Sequence, residues 1–194
     1  MIESLVKAEA LPAEKIAAWQ ARIKEQEEVA ELERSAAAGD VSAMIELSSL
    51  LFNGERGCKI DKVESFRLVE RAAKLGSVDG LGRLGVRYLQ GGGVMKDEAM
   101  GLMLITEAAA LGLLGSCYRL GVMHAEGKHG VPLDFCLARK WFQRAVRSGD
   151  KDPSLLERDS TAKTRYEHAV EWLRSHQPGR NVQTWSYPWS TVDY

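Results

Sequence analysis

Apolar residues recur at helical spacing over most of the chain, in blocks that each end at a glycine. The block 41–53 illustrates the pattern, because Asp40 precedes it at an N-cap position and Gly54 follows it. An aspartate in that place accepts hydrogen bonds from the first free amides of a helix. A glycine takes up the left-handed conformation that closes one. The pattern therefore predicts a helix over 41–53.

A second helix is predicted directly after a short glycine-bearing turn. Asp61 opens it, and Glu64 follows three residues later, which is the spacing of a capping box. We expect this helix to run to about Leu75 and to stop at Gly76. The two helices together form a helical hairpin.

The hairpin repeats along the chain with a period of 36 or 37 residues. Three series of positions share this period, each at an equivalent place in the unit: Gly39, Gly76, Gly112 and Gly149 at the ends; Gly54, Gly91 and Gly127 in the turns; Asp61, Asp97 and Asp134 at the second N-caps. One hairpin cannot bury both of its apolar faces, whereas stacked hairpins bury a continuous core. We therefore predict an all-α, right-handed superhelical solenoid of stacked antiparallel helix pairs.

The repeats and the flanking segments divide the chain into six parts. These are an N-terminal capping helix in 1–39, three repeats at 40–76, 77–112 and 113–149, a C-terminal capping helix or broken helix in 150–176, and a tail in 177–194. Asp152-Pro153 predicts the start of the C-terminal helix, because proline is favoured at a first helical position. The tail carries Trp185, Tyr187 and Trp189, and disordered tails are poor in aromatic residues. We expect it to pack on the solenoid.

The order of these residues resembles a known repeat family. Leu-Gly-x-x-Tyr, Gly-Gly-Gly-Val, Asp and Ala-Ala-x-x-Gly, as they stand in the second repeat, are similar to the Sel-1-like repeat, a relative of the tetratricopeptide repeat. The resemblance covers residues 40–149. The first unit departs from it, because Ser48 stands where the family has glycine.

By the same resemblance, the first helix of each repeat lines an inner, concave wall. The inward positions are then Ile45, Ser49 and Phe52; Gly82, Val86 and Leu89; and Tyr118, Val122 and Ala125. Each trio is spaced by four and then three residues, so each forms one helix face. Arg83, Arg87 and Arg119 are expected at the rim of this wall. A helix that is apolar nearly all round is normally buried, so we expect the wall to be covered by the tail, a partner or a second copy.

Composition narrows the range of functions. The net charge is −1, whereas proteins that neutralise nucleic-acid phosphates usually carry a clear basic excess. We find no apolar stretch of membrane-spanning length and no secretory signal, so we expect a cytoplasmic protein.

The three cysteines Cys58, Cys117 and Cys136 lack metal-site spacing, and we expect all three to be small buried side chains. In disulfide-stapled relatives the position equivalent to Cys117 pairs eight residues upstream, where this chain has Ala109.

Motifs of catalysis and cofactor binding have structural explanations here. Gly80 to Gly85 spell the dinucleotide fingerprint G-x-G-x-x-G, but that motif requires a preceding strand, and here it lies in a predicted helix. Gly91-Gly92-Gly93 coincides with the turn of the repeat. No pair among the four histidines has the i,i+4 spacing of metal ligands together with a candidate third ligand; these are His124, His129, His168 and His176. We therefore predict no cofactor, no metal and no catalytic site.

The leading hypothesis is a non-catalytic module that binds a partner protein through the concave helix face. A narrower version is a bacterial immunity or regulatory protein that neutralises a cytosolic toxin or effector, or that binds a signalling partner; it rests on analogy of fold. Two alternatives remain open. One is a hydrolase acting on cell-wall or β-lactam substrates, and the other is a homo-oligomeric scaffold.

Overall fold

A computed structural model describes residues 13–177, and within that range the chain is built of α-helices without a strand. The helices are α1 (Ala13–Ala38), α2 (Val41–Asn53), α3 (Lys62–Lys74), α4 (Val78–Gln90), α5 (Glu98–Ala110), α6 (Leu114–Glu126), α7 (Phe135–Lys151), α8 (Pro153–Arg158) and α9 (Ser160–Ser175). The all-α prediction is confirmed. The predicted tail residues Trp185, Tyr187 and Trp189 lie outside the described residues.

The residues predicted to cap the first helix of the first hairpin begin and end that helix in the structure. The Asp40 side chain accepts hydrogen bonds from the backbone amides of Ser42 and Ala43, at the start of α2. Gly54 has φ 74° and donates its backbone N–H to the carbonyl of Leu50, which ends that helix. The helix therefore spans the predicted residues 41–53.

The second helix of the hairpin begins at its predicted cap. The Asp61 carboxylate accepts the amide of Glu64, and the Asp61 backbone amide donates to the carbonyl of Leu51 at 2.9 Å. The second bond ties the start of α3 to the end of α2. Equivalent bonds join Asp97 to Tyr88 and Asp134 to His124, at 2.9 and 2.8 Å. This bond between the start of the second helix and the end of the first thus recurs in each repeat.

The described residues fall into two compact units, divided between Glu107 and Ala108. In the first unit α1, α2, α3 and α4 pack in sequence. Its core includes Met44, Leu47 and Leu68, against which Val29 and Leu32 of α1 pack. The second unit is centred on α6 and α7, with α9 packed against both. Its most deeply buried large side chain is Phe142.

One predicted helix end is wrong. Gly39, Gly76 and Gly112 have positive φ and lie at helix ends, as expected from the repeat. Gly149 instead lies inside α7, which continues to Lys151, and it is buried. A Cβ atom there would fall 2.5 Å from a ring carbon of Tyr166. Gly149 therefore allows α9 to pack closely against α7, and it does not end a helix.

Candidate partner-binding site

A pocket of about 480 Å³ opens in the first unit beside α2 and α4, the first helices of two consecutive repeats. Residues from both helices and from the turn after α2 line it: Val41, Ser42, Ile45, Glu46, Ser49, Leu50, Glu55, Arg56, Ser77, Asp79 and Arg83. Three apolar side chains thus share the pocket with two arginines and three carboxylates. Ile45 and Ser49 belong to the face that the sequence predicts as inward.

Arg83 forms one charged wall of this pocket. Its Nε atom donates to the Asp79 carboxylate at 2.9 Å, one turn earlier on α4. Its Nη1 atom donates to Ser49 Oγ at the same distance of 2.9 Å, across to α2. The Arg83 and Asp79 side chains are 40% and 47% exposed, so both remain accessible to a partner. The sequence analysis placed Arg83 at the rim of the inner wall, and that role stays a prediction.

Arg56 also lines the pocket and was missed by sequence reasoning. It follows the α2 C-cap with φ 49°, a left-handed conformation that is uncommon for a residue other than glycine. Its Nη1 atom lies 3.1 Å from the Glu46 carboxylate and 3.9 Å from that of Glu28 on α1. The third turn has the same length and carries His129 at the equivalent position, with φ 57°, whereas the second turn is one residue shorter. The arginine itself therefore does not recur in the repeats. The i,i+4 spacing of Asp79 and Arg83, by contrast, was a readable signal.

The prediction that Arg87 lies at the rim is wrong. Arg87 is only 7% exposed, and its guanidinium carbon lies 3.6 Å from the centroid of the Phe52 ring. Its Nη2 atom lies 3.3 Å from Ser65 Oγ, while its buried Nε has no hydrogen-bond partner among the described residues. Burial, with a smaller contribution from Arg83, lowers the pKa of Arg87 to about 10. Arg87 is therefore charged at neutral pH but enclosed.

Phe52 and the second predicted trio contribute little free surface to the inner face. Phe52 is half-buried under Arg87, and Val86 is also half-buried. Gly82 is buried, and so is Leu89, whose side chain packs where a Cβ on Gly101 would lie. Helix approach at Gly101 draws Leu89 into the contact between α4 and α5. The four-then-three spacing identified a helix face, but it did not show how far a neighbouring helix covers that face.

In the second unit the predicted inner residues meet a helix of the chain itself. Tyr118 lies against Phe142 and His168, with ring centroids 5.8 and 5.4 Å apart. Val122 and Arg119 are half-buried, and Ala125 is buried. Since His168 belongs to α9, this helix covers Tyr118. The sequence analysis expected the tail, a partner or a second copy to cover this wall, whereas at Tyr118 the structure shows the C-terminal helix α9.

The glycine motif Gly80 to Gly85 and the cysteine Cys117 both have structural roles. The segment from Gly80 to Gly85 lies within α4, where a Cβ on Gly85 would fall 2.7 Å from Ile105 and 2.9 Å from the Gly101 carbonyl. The glycines therefore permit close helix packing. Cys117 donates its thiol to the Ala109 carbonyl at 3.4 Å, and burial raises its pKa to about 11.

The three cysteines differ in burial more than the sequence suggested. All three are free thiols. Cys117 is buried as predicted, but Cys58 is half-buried and Cys136 is exposed. Cys136 lies two residues after the Asp134 cap and donates its backbone amide to the cap carboxylate, which places it in the first turn of α7.

None of the helices between residues 13 and 177 combines the length and apolarity that crossing a bilayer requires.

Comparison with known proteins identifies the repeats. The family model described as Sel1 repeat matches residues 41–77, 78–113 and 115–150, more than half of the chain. A Sel1 repeat protein from Oxalobacter formigenes is 32% identical and aligns with a TM-score of 0.51, over 73% of this chain and 98% of its own. Among curated proteins there is no significant match.

Two further solved structures are similar over much of the chain. Cysteine-rich protein B of Helicobacter pylori is 25% identical, covers 66% of this chain and 90% of its own, and has a TM-score of 0.48. A protective antigen of uropathogenic Escherichia coli with an SLR fold is 23% identical, covers 74% of this chain and 40% of its own, and also has a TM-score of 0.48. Sel1 repeats are generally protein-interaction modules. On the three matched repeats and the relative from Oxalobacter formigenes, the chain belongs to the Sel1 repeat family.

Proposed function

We propose that this protein binds a partner protein at the pocket beside α2 and α4, without catalysing a reaction. The observation that carries the proposal is the pocket itself, which combines a half-buried Ile45 with the accessible charged walls of Arg56 and Arg83. Binding sites in proteins commonly join an apolar floor to a few placed polar groups. Its lining contains serines but neither histidine nor cysteine.

The lining also indicates the chemistry of the partner segment. Ile45 and Val41 offer contact to an apolar side chain, while Arg56, Arg83 and Asp79 offer charges of both signs. Each arginine already bonds a carboxylate of this chain, so a partner carboxylate would share or replace that bond. We expect a segment that presents one apolar anchor flanked by charged groups. A toxin or effector encoded beside this protein is the partner class to test first.

The test places a photo-crosslinking amino acid at single positions of the full chain. Introduced at Ser42, it lies in the pocket; introduced at Arg67, whose side chain is 69% exposed on α3, it serves as the matched control. The co-expressed product of a neighbouring gene should crosslink at position 42 and not at 67. Equal crosslinking at both positions would contradict the proposed site.

Charge reversal tests the same site by affinity. Arg83→Glu should weaken binding of the identified partner by about tenfold or more, because it replaces the cation offered to a partner carboxylate with an anion and adds repulsion beside Asp79. Arg67→Glu changes the net charge equally and should leave the affinity unchanged. Thermal unfolding of both variants confirms that they fold. Unchanged affinity of a folded Arg83→Glu variant would overturn the proposal.

A further inference from the structure

Three aromatic rings stack where the described part of the chain ends. On α9, Trp172 and His176 lie one turn apart, with ring centroids separated by 4.1 Å and ring planes 5° apart. Phe135 of α7 lies against both rings, with centroids 6.5 and 6.1 Å away and planes tilted by 23° and 20°. Trp172 and His176 are buried, but Phe135 is 41% exposed. Phe135 therefore carries the exposed aromatic surface of this stack.

Leu133 extends this surface on the other side of the α7 cap. It is 59% exposed and stands two positions before Phe135. Asp134 between them has an extended backbone, with φ −148° and ψ 99°. Side chains two positions apart in an extended segment point to the same side. Leu133 and Phe135 therefore form one exposed apolar patch, the Phe135 patch.

The C-terminal segment leaves the described structure beside the Phe135 patch. His176, which stacks on Phe135, is the C-cap of α9, and the described residues end one position later at Gln177. Trp185 follows Gln177 by eight residues, which span at most about 29 Å when fully extended. The aromatic residues of the tail are thus tethered within reach of the patch.

The sequence of this tail is suited to an aromatic surface. Pro178-Gly179, a pair typical of chain reversals, follows α9 directly. Trp185, Tyr187 and Trp189 then alternate with a serine and a proline, so the three rings share one face of an extended segment. Only two of the seventeen side chains from 178 to 194 are charged. Solvated tails have the opposite composition, with many charges and few aromatic rings.

We propose that the tail of the same chain docks on the Phe135 patch through Trp185, Tyr187 and Trp189. Aromatic rings attract one another in offset-stacked and edge-to-face arrangements, and the patch offers an exposed ring backed by two further rings. A short tether gives the tail a local concentration on the order of 1 mM, which favours it over a separate protein present at lower concentration. The contact involves α7 and α9 and is independent of the proposed pocket beside α2 and α4.

Photo-crosslinking in the full chain tests this contact. The photoreactive amino acid p-benzoylphenylalanine at position 135 keeps an aromatic side chain there, and its crosslinks should map to residues 180–194 by peptide mass spectrometry. The matched control position is Leu111, an apolar side chain of the same unit that is 61% exposed. Leu111 precedes α6 and Phe135 follows it, so the length of α6 separates them by about 20 Å. The tail should crosslink at 135 and at 111 only weakly.

Substitutions in the tail test whether the aromatic rings make the contact. Trp185→Ala with Trp189→Ala should lower the crosslinking yield at 135 by about tenfold, because aromatic anchors dominate such contacts. Gln183→Ala with Thr184→Ala changes two neighbouring polar residues and should leave the yield unchanged. Circular dichroism checks that the helices form in both variants.

Isotope mixing separates the chain's own tail from the tail of a second copy. In an equal mixture of heavy-isotope-labelled and unlabelled chains, each crosslink should join two peptides that carry the same label. Crosslinks between differently labelled peptides would assign the patch to a second copy and overturn the inference. Equal yields at 135 and 111, or a yield at 135 that survives loss of both tryptophans, would also contradict it.

Discussion

The guanidinium of Arg87 stacks on the ring of Phe52, and this contact joins the first helices of two consecutive repeats. Both side chains were predicted to face a partner, yet each instead covers the other. A cation over an aromatic face is attracted by the ring quadrupole, and the attraction strengthens as water is removed. Burial removes water from the Arg87 guanidinium and lowers its pKa to about 10.

A double-mutant cycle should detect this contact as a coupling between the two helices. Arg87→Met and Phe52→Leu each keep an apolar side chain of related size. We expect a coupling free energy of about 0.5–2 kcal/mol in urea unfolding. Additive effects of the two substitutions would show that the stacking contributes nothing to stability.

Ser65 gives a second prediction, because it links Arg87 to the first hairpin. Its hydroxyl donates to the Ser48 carbonyl at 2.6 Å and lies 3.3 Å from Arg87 Nη2. Ser65→Ala should lower the free energy of unfolding by about 1–3 kcal/mol, since it leaves buried polar groups without a partner. Thr106→Ala, which removes an exposed hydroxyl bonded to the Leu102 carbonyl, should change it by less than about 0.5 kcal/mol. Equal effects would contradict the buried bridge.

The sequence predicted the helices well because their ends are set locally. Asp40 and Gly54 act on amides and carbonyls within four residues, so the span 41–53 follows from neighbours in the chain. The sequence analysis left open a broken helix in 150–176 without placing the break, which falls at Asp159, the residue that caps α9. Gly149 shows the limit of this reasoning. Its role depends on Tyr166, seventeen residues away on another helix.

Of the residues that line the candidate pocket, the sequence analysis named Ile45, Ser49 and Arg83 but not Arg56. The contact between α2 and α3 was also only partly predictable, because it too depends on residues far apart in the chain. Ser48 was noted as a departure from the repeat glycine, but its compensation by Ser65 is a contact across two helices. In the second repeat the equivalent residues are Gly85 and Gly101, whose backbones approach directly. Periodicity identifies which positions are equivalent. It does not reveal that Ser48 and Ser65, which replace the two glycines, hold the helices of the first repeat together by a hydrogen bond.

Thiol reactivity should separate Cys136 from Cys117. Cys136 is exposed, whereas Cys117 is buried and donates its thiol to the Ala109 carbonyl. Burial also raises the pKa of Cys117 to about 11. Because the thiolate is the reactive form, alkylation at pH 8 should modify Cys136 in the native protein and leave Cys117 unmodified until urea unfolds it. Peptide mass mapping over time checks the order. Early labelling of Cys117 would show that this part of the second unit opens readily.

Stability should fall in acid because of His168. Desolvation lowers the pKa of His168, although Glu126 acts in the opposite direction. Its buried Nδ1 has no hydrogen-bond partner among the described residues, and the rings of Tyr118 and Phe142 face it. The unfolded chain therefore binds this proton more readily than the folded one.

The free energy of unfolding should accordingly decrease as pH falls below about 6.5, the ordinary pKa of histidine. Urea unfolding at pH 7.5 and pH 5 should show this loss in the wild type. The loss should be smaller in His168→Gln, which cannot take up the proton. Since both proteins keep the other three histidines, the difference between them isolates His168. Identical pH dependence would contradict the assignment.

Two glycines of α6 should respond differently to substitution by alanine. A Cβ on Gly121 would fall 2.7 Å from ring carbons of Phe142, whose side chain is 1% exposed and has no room to retreat. Gly121→Ala should therefore lower the free energy of unfolding by about 1–3 kcal/mol. A Cβ on Gly115 would meet only the flexible end of the Arg165 side chain. Gly115→Ala should be neutral or stabilise by up to about 1 kcal/mol, because alanine favours the helix. Since both substitutions add the same methyl group to the same helix, equal effects in urea unfolding would show that α6 and α7 do not depend on close approach at Gly121.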